Sequence, residues 1–231
     1  MKGRLLLILL PMILFCLNRA QGQTFKPGVI MGITTSQVGG DNYSGFNKLG
    51  VTFGGFVRLK LNENWSTQFE IYYIQKGSRN GFSITENDPN QASQFFLMRF
   101  NYVEIPLLFR FNFHKFVYEI GPYYSQLIGL HYEIRNDQYG SVGPIKNVDD
   151  LNQRYNFQYP MKENDFGFIL GVNYKINAKL LGSIRYGQGV TSLKRPESGI
   201  IDPYPTSLNI GWVNTVLTGT LRYTFGEGDD L

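Results

Sequence analysis

His131 is the residue of this chain with the best claim to catalysis. It stands two positions before Glu133 and six positions after Ser125. A hydroxyl, an imidazole and a carboxylate are the parts of a serine hydrolase, so a surface acyl hydrolase or transferase is one hypothesis. Any chain of this size supplies such neighbours by chance, and the other histidine, His114, stands apart in a short turn. We therefore predict no catalytic residue and no enzymatic activity.

Metal and nucleotide chemistry find no better support in the sequence. Two histidines without paired ligand spacing do not predict a zinc site. The acidic pairs Glu86 with Asp88 and Asp149 with Asp150 do not continue into the ligand spacing of a calcium loop, and we interpret both as solvated loop charges. The sequence Gly-Gln-Gly at 187–189 has no predicted helix after it to present amides to a phosphate. We expect no cofactor and no metal.

The N-terminal segment has the features of a secretory signal peptide. Lys2 and Arg4 precede an apolar run over 5–17, and Ala20-Gln21-Gly22 supplies the small residues of a cleavage site. An apolar run of about 13 residues is shorter than the roughly 20 that a spanning helix needs, so a retained helical anchor is the weaker alternative. Cys16 could indicate a lipoprotein, but the bulky Phe15 precedes it where a small residue is required. We predict a signal peptide over 1–22 and one mature domain over 23–231.

Removal of residues 1–22 changes the charge of the chain. The segment carries three basic residues and no acidic one, which leaves 19 basic and 18 acidic residues in the mature chain. The basic balance of the whole sequence therefore belongs to the targeting segment, and nucleic-acid binding loses its support. The only cysteine also leaves with the signal, so we expect neither a disulfide nor thiol chemistry.

The mature sequence predicts an all-β fold of eight strands. Aromatic residues make up 15% of the chain and there are 26 glycines, a composition typical of strands joined by many turns. Each segment of alternating hydrophobicity is long enough to cross a bilayer when tilted. We place the strands at about 27–38, 50–61, 65–76, 99–111, 116–128, 165–176, 180–190 and 211–225.

Short and long connections alternate strictly along the chain. The short ones, at 62–64, 112–115 and 177–179, each begin with Asn, which favours turns. The long ones lie at about 39–49, 77–98, 129–164 and 191–210. Outer-membrane barrels have short periplasmic turns and long outer loops, whereas a soluble sandwich has little reason to alternate them. We predict an eight-stranded antiparallel transmembrane β-barrel, an up-and-down meander like OmpA and OmpX, in the outer membrane with both termini periplasmic.

The two faces of the predicted strands differ in polarity. One face is apolar and rich in aromatic residues; in a membrane barrel it contacts lipid, and the polar face points into the lumen. An eight-stranded barrel is only wide enough for side chains, so enclosed charges should pair and plug it. Glu104 and Arg110 share one strand face, which makes Glu104 the leading candidate for a paired carboxylate. The predicted lumen charge network consists of Arg58, Lys60, Glu70, Lys76, Glu104, Arg110, Glu119, Lys175, Arg185 and Arg222.

Aromatic residues and prolines near strand ends add two further expectations. Aromatic girdles are expected at the two membrane interfaces. Each proline deletes a ladder donor, so we expect local bulges at Pro106 and Pro122. The predicted girdle residues are Trp65, Phe113 and Phe116 at the periplasmic rim and Tyr123, Tyr124, Tyr186 and Trp212 at the outer rim.

Three segments carry a family resemblance. DNYSGFNKLG at 41–50, IQKGS at 74–78 and NYVEIPLL at 101–108 resemble the PorT-like "porin family" of outer-membrane β-barrel proteins common in Bacteroidetes. The resemblance runs over nearly all of the mature chain. It implies a membrane barrel, and because some relatives serve type IX secretion and gliding, it also implies a secretion complex as a candidate partner.

These observations lead to one main functional hypothesis and two alternatives. The first is a non-enzymatic outer-membrane barrel with a plugged lumen, whose long loops bind a surface partner or join a membrane complex. Its expected partners are outer-membrane lipid and the barrel insertion machinery, with no nucleic acid. The alternatives are a narrow porin for small solutes and the surface enzyme that contains His131.

The cleavage site gives a first testable prediction. Because the small residues end at Gly22, the mature chain should begin at Gln23, with or without cyclisation of that residue. Mass spectrometry of the N-terminal peptide from purified membranes checks this. Recovery of Met1, or of a lipid on Cys16, would contradict it.

Overall fold

A computed structural model of the chain describes residues 25–40, 45–80, 95–136, 140–155, 161–194 and 211–226. The predicted signal peptide and its cleavage site lie outside these residues. Within them, helical structure is too short or too polar to cross a membrane.

Nine strands and one short helix make up the described residues. The strands are β1 (Phe25–Gly39), β2 (Lys48–Lys60), β3 (Trp65–Arg79), β4 (Phe95–Phe113), β5 (Phe116–Asn136), β6 (Gly140–Ile145), β7 (Asn164–Lys175), β8 (Leu180–Gly189) and β9 (Val213–Thr224), and the helix α1 spans Val148–Tyr155.

Eight of the strands form a closed antiparallel barrel. Their order is β4-β3-β2-β1-β9-β8-β7-β5, and pairing of β4 with β5 closes the ring. Strand β6 lies outside the ring, as a short partner for the end of β5. Closure gives every barrel strand two neighbours, so none is left as an open edge. The predicted fold class is confirmed, and each of the eight predicted strands has its counterpart.

Local hydrogen bonds fix two of the three short turns, and a left-handed residue forms the other. Oδ1 of Asn62 accepts from the backbone amides of Asn64 and Trp65 at 3.0 and 2.8 Å. Oδ1 of Asn177 accepts in the same way from Lys179 and Leu180, at 2.9 and 2.8 Å. In the third turn, His114 adopts a φ of 53°, the left-handed conformation of tight turns. These turns lie together at one end of the barrel, here called the short-turn end, and the opposite end is called the long-connection end.

Burial follows the predicted alternation of faces. In β9, Thr218, Thr220 and Arg222 are buried, while Leu221 and Tyr223 between and beside them are exposed. The other strands also turn polar side chains inward, and large apolar side chains cover the outer face. The outer surface of the barrel is therefore apolar and its interior is polar, as a lipid-embedded barrel requires.

The expected bulges at Pro106 and Pro122 are wrong. The β4–β5 register is the same before and after these residues, because Pro106 faces Tyr123 and Phe109 faces Ile120 without an offset. A proline lacks one N–H, so it removes one ladder bond and leaves the neighbouring pairs in place. The register instead shifts between Asn101 and Tyr102, where β5 carries one extra residue, Ile128.

An apolar cluster lies at the long-connection end, in a part of the chain that the sequence analysis treated as loop. Val148 and Leu151 of α1 are buried there. The helix start has a recognisable cap, since Oδ1 of Asn147 accepts from the amide of Asp150 at 2.7 Å. This cap and the spacing of Val148 and Leu151 were signals available in the sequence. Strand and loop side chains complete the cluster, among them Phe96, Met98, Phe100, Leu130, Tyr132, Ile145, Met161 and Leu193.

Candidate functional site: the charged interior of the barrel

Cross-strand register places the interior charges side by side. One row of paired positions runs from Lys60 through Ser66 and Arg110 to Glu119. It continues through Gly171 to Arg185. Directly paired positions on one face are near enough for side chains to interact, so strands that are distant in sequence supply one cluster.

The central cluster consists of Glu70, Glu119, Arg110, Arg185 and Arg222. Arg185 Nη1 and Nη2 each lie 2.7 Å from an oxygen of Glu70, a bidentate pair, and its Nε donates to Glu119 Oε1. Arg222 Nη1 lies 3.1 Å from Glu70 and 3.4 Å from Glu119. All five residues are at most 5% exposed. The carboxylates thus lie between the guanidinium groups that neutralise them.

Gly171 leaves the space in which two of these side chains meet. It stands between Glu119 and Arg185 in the register, and a Cβ atom there would lie 2.6 Å from Glu119 Oε1 and 3.0 Å from Arg185 Cγ. Those separations are shorter than an ordinary van der Waals contact, so a larger residue at position 171 would displace the side chains of Glu119 and Arg185.

A second cluster, the Lys76 cluster, contains Lys76, Glu104 and Asp165 and lies nearer the long-connection end. Lys76 Nζ is 2.6 Å from Glu104 Oε2 and 3.1 Å from Asp165 Oδ2. The hydroxyls of Tyr72 and Ser125 donate to Glu104 at 2.5 and 2.6 Å. The three charged residues are at most 1% exposed. Burial is compensated here by both opposite charge and hydrogen bonds.

The strand face that Glu104 and Arg110 share does not bring their two side chains together. Glu104 pairs with Lys76, whereas Arg110 Nε lies 3.4 Å from Glu119 and Arg110 Nη1 donates to Gln68 at 2.6 Å. Residues six apart in a strand are separated by about 20 Å, so a shared face does not bring them into contact. The partners come from neighbouring strands instead.

Three of the predicted lumen residues lie at the short-turn end, outside both clusters. Arg58 is buried and donates to Thr224 Oγ1 at 2.9 Å. Lys60 is exposed and Lys175 is half-buried, because both stand at strand ends. All three face a cavity of about 340 Å³, here called the short-turn mouth, whose lining residues are Lys26, Arg58, Lys60, Glu63, Ser66, Asn112 and Lys175.

The sequence analysis missed Asp165 and misplaced two aromatic residues. Asp165 is fully buried; it is the second residue of β7 and the first of the strand predicted at 165–176. Tyr123 was expected at the outer rim; it is 3% exposed, and its ring lies 4.2 Å from Lys76 Nζ. Trp212 packs against the apolar cluster and so is not a lipid-facing girdle residue. Trp65, Phe113, Phe116 and Tyr186 are exposed, and Tyr124 is half-buried.

The candidate hydrolase residues do not form a catalytic group. His131 Nε2 lies 3.2 Å from Glu133 Oε2, but the hydroxyl of Ser125 donates to Glu104. The extra residue Ile128 reverses the phase of β5 between Ser125 and His131, so the two side chains leave opposite faces of the strand. Across the residues that the structure describes, no cluster of histidine and acidic side chains is suited to a metal ion.

The chain belongs to a family of outer-membrane proteins. A closed barrel with an apolar outer face and ion-paired charges in its interior is the architecture of an outer-membrane β-barrel protein. A family model described as outer membrane protein beta-barrel domain matches residues 20–195, which is most of the chain. The chain is a member of this family. No curated protein matches the sequence.

Several solved barrels resemble the structure at low sequence identity. Neisserial surface protein A is 10% identical, with 89% of this chain and 100% of that chain covered and a TM-score of 0.48. Ail, the attachment invasion locus protein of Yersinia pestis, is 10% identical, with 87% and 99% covered and a TM-score of 0.45. OprG from Pseudomonas aeruginosa is 11% identical, with 87% and 96% covered and a TM-score of 0.36.

Removal of single carboxylates should destabilise the barrel in a definite order. Glu70→Gln leaves three arginines facing Glu119 alone and should lower the free energy of unfolding by about 3–5 kcal/mol. Glu104→Gln should cost less, because Asp165 still pairs with Lys76. Asp149→Asn, an exposed change on α1, should stay within about 0.5 kcal/mol. Urea unfolding of the detergent-folded barrel measures all three, and equal effects from Glu70→Gln and Asp149→Asn would contradict the pairing.

Proposed function

We propose that this protein is a non-enzymatic outer-membrane barrel whose lumen is plugged by its own ion pairs and whose long-connection end binds a partner. The observation that carries the proposal is the bridge from Arg185 to Glu70 and Glu119. Strand β8 lies four strands from β3 around the ring of eight, so this pair crosses the full diameter of the barrel. An interior of this width has little room for a continuous water path beside such a bridge.

The long-connection end supports a role in binding. Strands β4 and β5 contain 19 and 21 residues, several more than any other described strand, and β5 is followed by β6 and α1. A bilayer needs only about 9–11 residues of tilted strand, so this hairpin extends well beyond the membrane. Its inner side chains form the apolar cluster, which makes it a packed platform for contacts. We place this end outside the cell and both chain termini in the periplasm.

The partner is proposed from the family resemblance. The PorT-like segments suggest assembly with a secretion or gliding complex of the type IX kind, in addition to outer-membrane lipid and the insertion machinery. A surface protein that binds the platform is the other partner consistent with this proposal. Neither assignment depends on catalysis by His131.

A narrow porin is the second candidate, and the short-turn mouth is the observation that favours it. This cavity of about 340 Å³ reaches solvent beside the exposed Lys60 and is lined mainly by cations. A solute could enter it, but it would next meet the central cluster.

Planar-bilayer recording separates the plugged barrel from the porin. We expect the full chain to give no steady openings, because the central cluster occupies the lumen. The double variant Glu70→Ala/Arg185→Ala removes one anion and one cation from the crossing bridge, and it should raise the frequency of openings. Circular dichroism confirms that each sample is folded. Steady openings of the unaltered protein across many insertions would overturn the plugged-barrel proposal.

Trypsin added to whole cells tests the orientation. Lys146 and Arg154, exposed beside and on α1, should be cleaved, whereas the exposed Lys115 and Lys179 in the short turns should be protected. Disrupted cells provide the control, since all four sites are then accessible. Cleavage at Lys115 or Lys179 in intact cells would reverse the proposed orientation.

A further inference from the structure

The interior charges are not evenly distributed along the barrel. The Lys76 cluster carries one cation and two carboxylates, and the central cluster carries three arginines and two carboxylates. Among the described residues that line the short-turn mouth, Lys26, Arg58, Lys60 and Lys175 are cations and Glu63 is an acid. Formal charge therefore rises from −1 through +1 to +3 towards the short turns.

A polar side chain in the wall of the mouth has an unused hydrogen-bonding group. Ser66 lines the cavity and is 3% exposed, yet its Oγ has no hydrogen-bond partner among the described residues. Ser66 stands between Lys60 and Arg110 in the register. A buried hydroxyl without a partner is costly, and one that faces a cavity can donate to a ligand there.

Unused donors continue into the adjacent central cluster. Nη2 of Arg110 and Nη2 of Arg222 have no hydrogen-bond partner in the described part of the chain, and both residues are 1% exposed. The carboxylates of this cluster are already engaged by Arg185. These two Nη2 groups are thus cationic donors left over in the cluster next to the short-turn mouth.

We propose that the short-turn mouth is a binding site for a small polyvalent anion, a solute that carries phosphate or several carboxylates. Such an anion would be held by Lys26, Lys60 and Lys175 at the rim and would accept from Ser66 in the wall. A volume of about 340 Å³ lies in the range of ordinary ligand pockets. The lining residues that belong to strands stand on the inward faces of those strands, whereas lipid tails contact the outer face, so a free solute fits the site better than a lipid headgroup.

This inference goes beyond the proposed function and does not depend on its orientation. A periplasmic source for the anion follows only if the short turns are periplasmic. Binding to the purified barrel can be measured whichever way it faces, and whether or not the lumen conducts.

Calorimetric titration of the full chain in an uncharged detergent tests the site, with inorganic pyrophosphate as the probe. We expect saturable one-to-one binding. Lys60→Gln and Lys175→Gln should each weaken it about tenfold, because each removes a charge-assisted contact, and Ser66→Ala should weaken it several-fold. Lys115→Gln is the matched control: it removes an equal charge from the same end but not from the cavity, and its affinity should stay within about twofold.

Three results would overturn the proposal directly. The first is the absence of saturable binding at millimolar pyrophosphate, and the second is an effect of Lys115→Gln equal to that of Lys60→Gln. The third is that the barrel binds micelles containing phosphatidylglycerol but does not bind pyrophosphate.

A fourth result concerns the acidic residues that follow Gly226 in the sequence. If Glu227→Gln/Asp229→Asn/Asp230→Asn tightens binding tenfold or more, the mouth serves the chain's own tail rather than a solute.

Discussion

Charge inside a narrow barrel has to be neutralised by the barrel itself, and the bridge from Arg185 to Glu70 and Glu119 is where this chain does so. An eight-stranded ring leaves space for side chains but little for the water that would hydrate free ions. The pair spans opposite strands, β8 and β3, so it exists only after the ring has closed. Closure of the ring pairs the backbone hydrogen-bonding groups of the last strands and forms the ion pairs at the same time. The barrel is therefore expected to fold as a cooperative unit.

Glycine has a specific part in this arrangement. A side chain at Gly171 would occupy the space in which Arg185 reaches Glu119. Gly77, beside Lys76, has a φ of 133°, and a Cβ atom there would lie 2.0 Å from the carbonyl oxygen of Met98. The abundance of glycine, which suggested only turns at first, therefore also reflects close approach within the strands.

The sequence predicts the fold well because its information is periodic. Alternation in β2, β3, β7 and β9 identifies the strands and their inward residues, and the Asn turns identify the short connections. The sequence predicts ion-pair partners poorly, because periodicity shows which face of a strand a residue occupies but not its position along the barrel axis. Glu104 and Arg110, for example, share a face and belong to different clusters. Asp165 has the same parity as Lys175, so the alternation of the predicted strand did place it inward, and it was overlooked because it is the first residue of that strand. The apolar cluster was not predicted because α1, which contributes to it, is only eight residues long.

The extra residue Ile128 also bears on how this protein can change over evolution. Up to Leu127, odd-numbered side chains of β5 face inward; beyond the bulge, Leu130 and Tyr132 do so. The bulge thus separates a part whose phase is set by the lumen from a part whose phase is set by the apolar cluster. A one-residue insertion or deletion at this point would exchange the faces of β5 beyond the bulge and leave the register of the rest of the ring unchanged. Such a change would create a new surface at the long-connection end while the ring of eight strands stays the same.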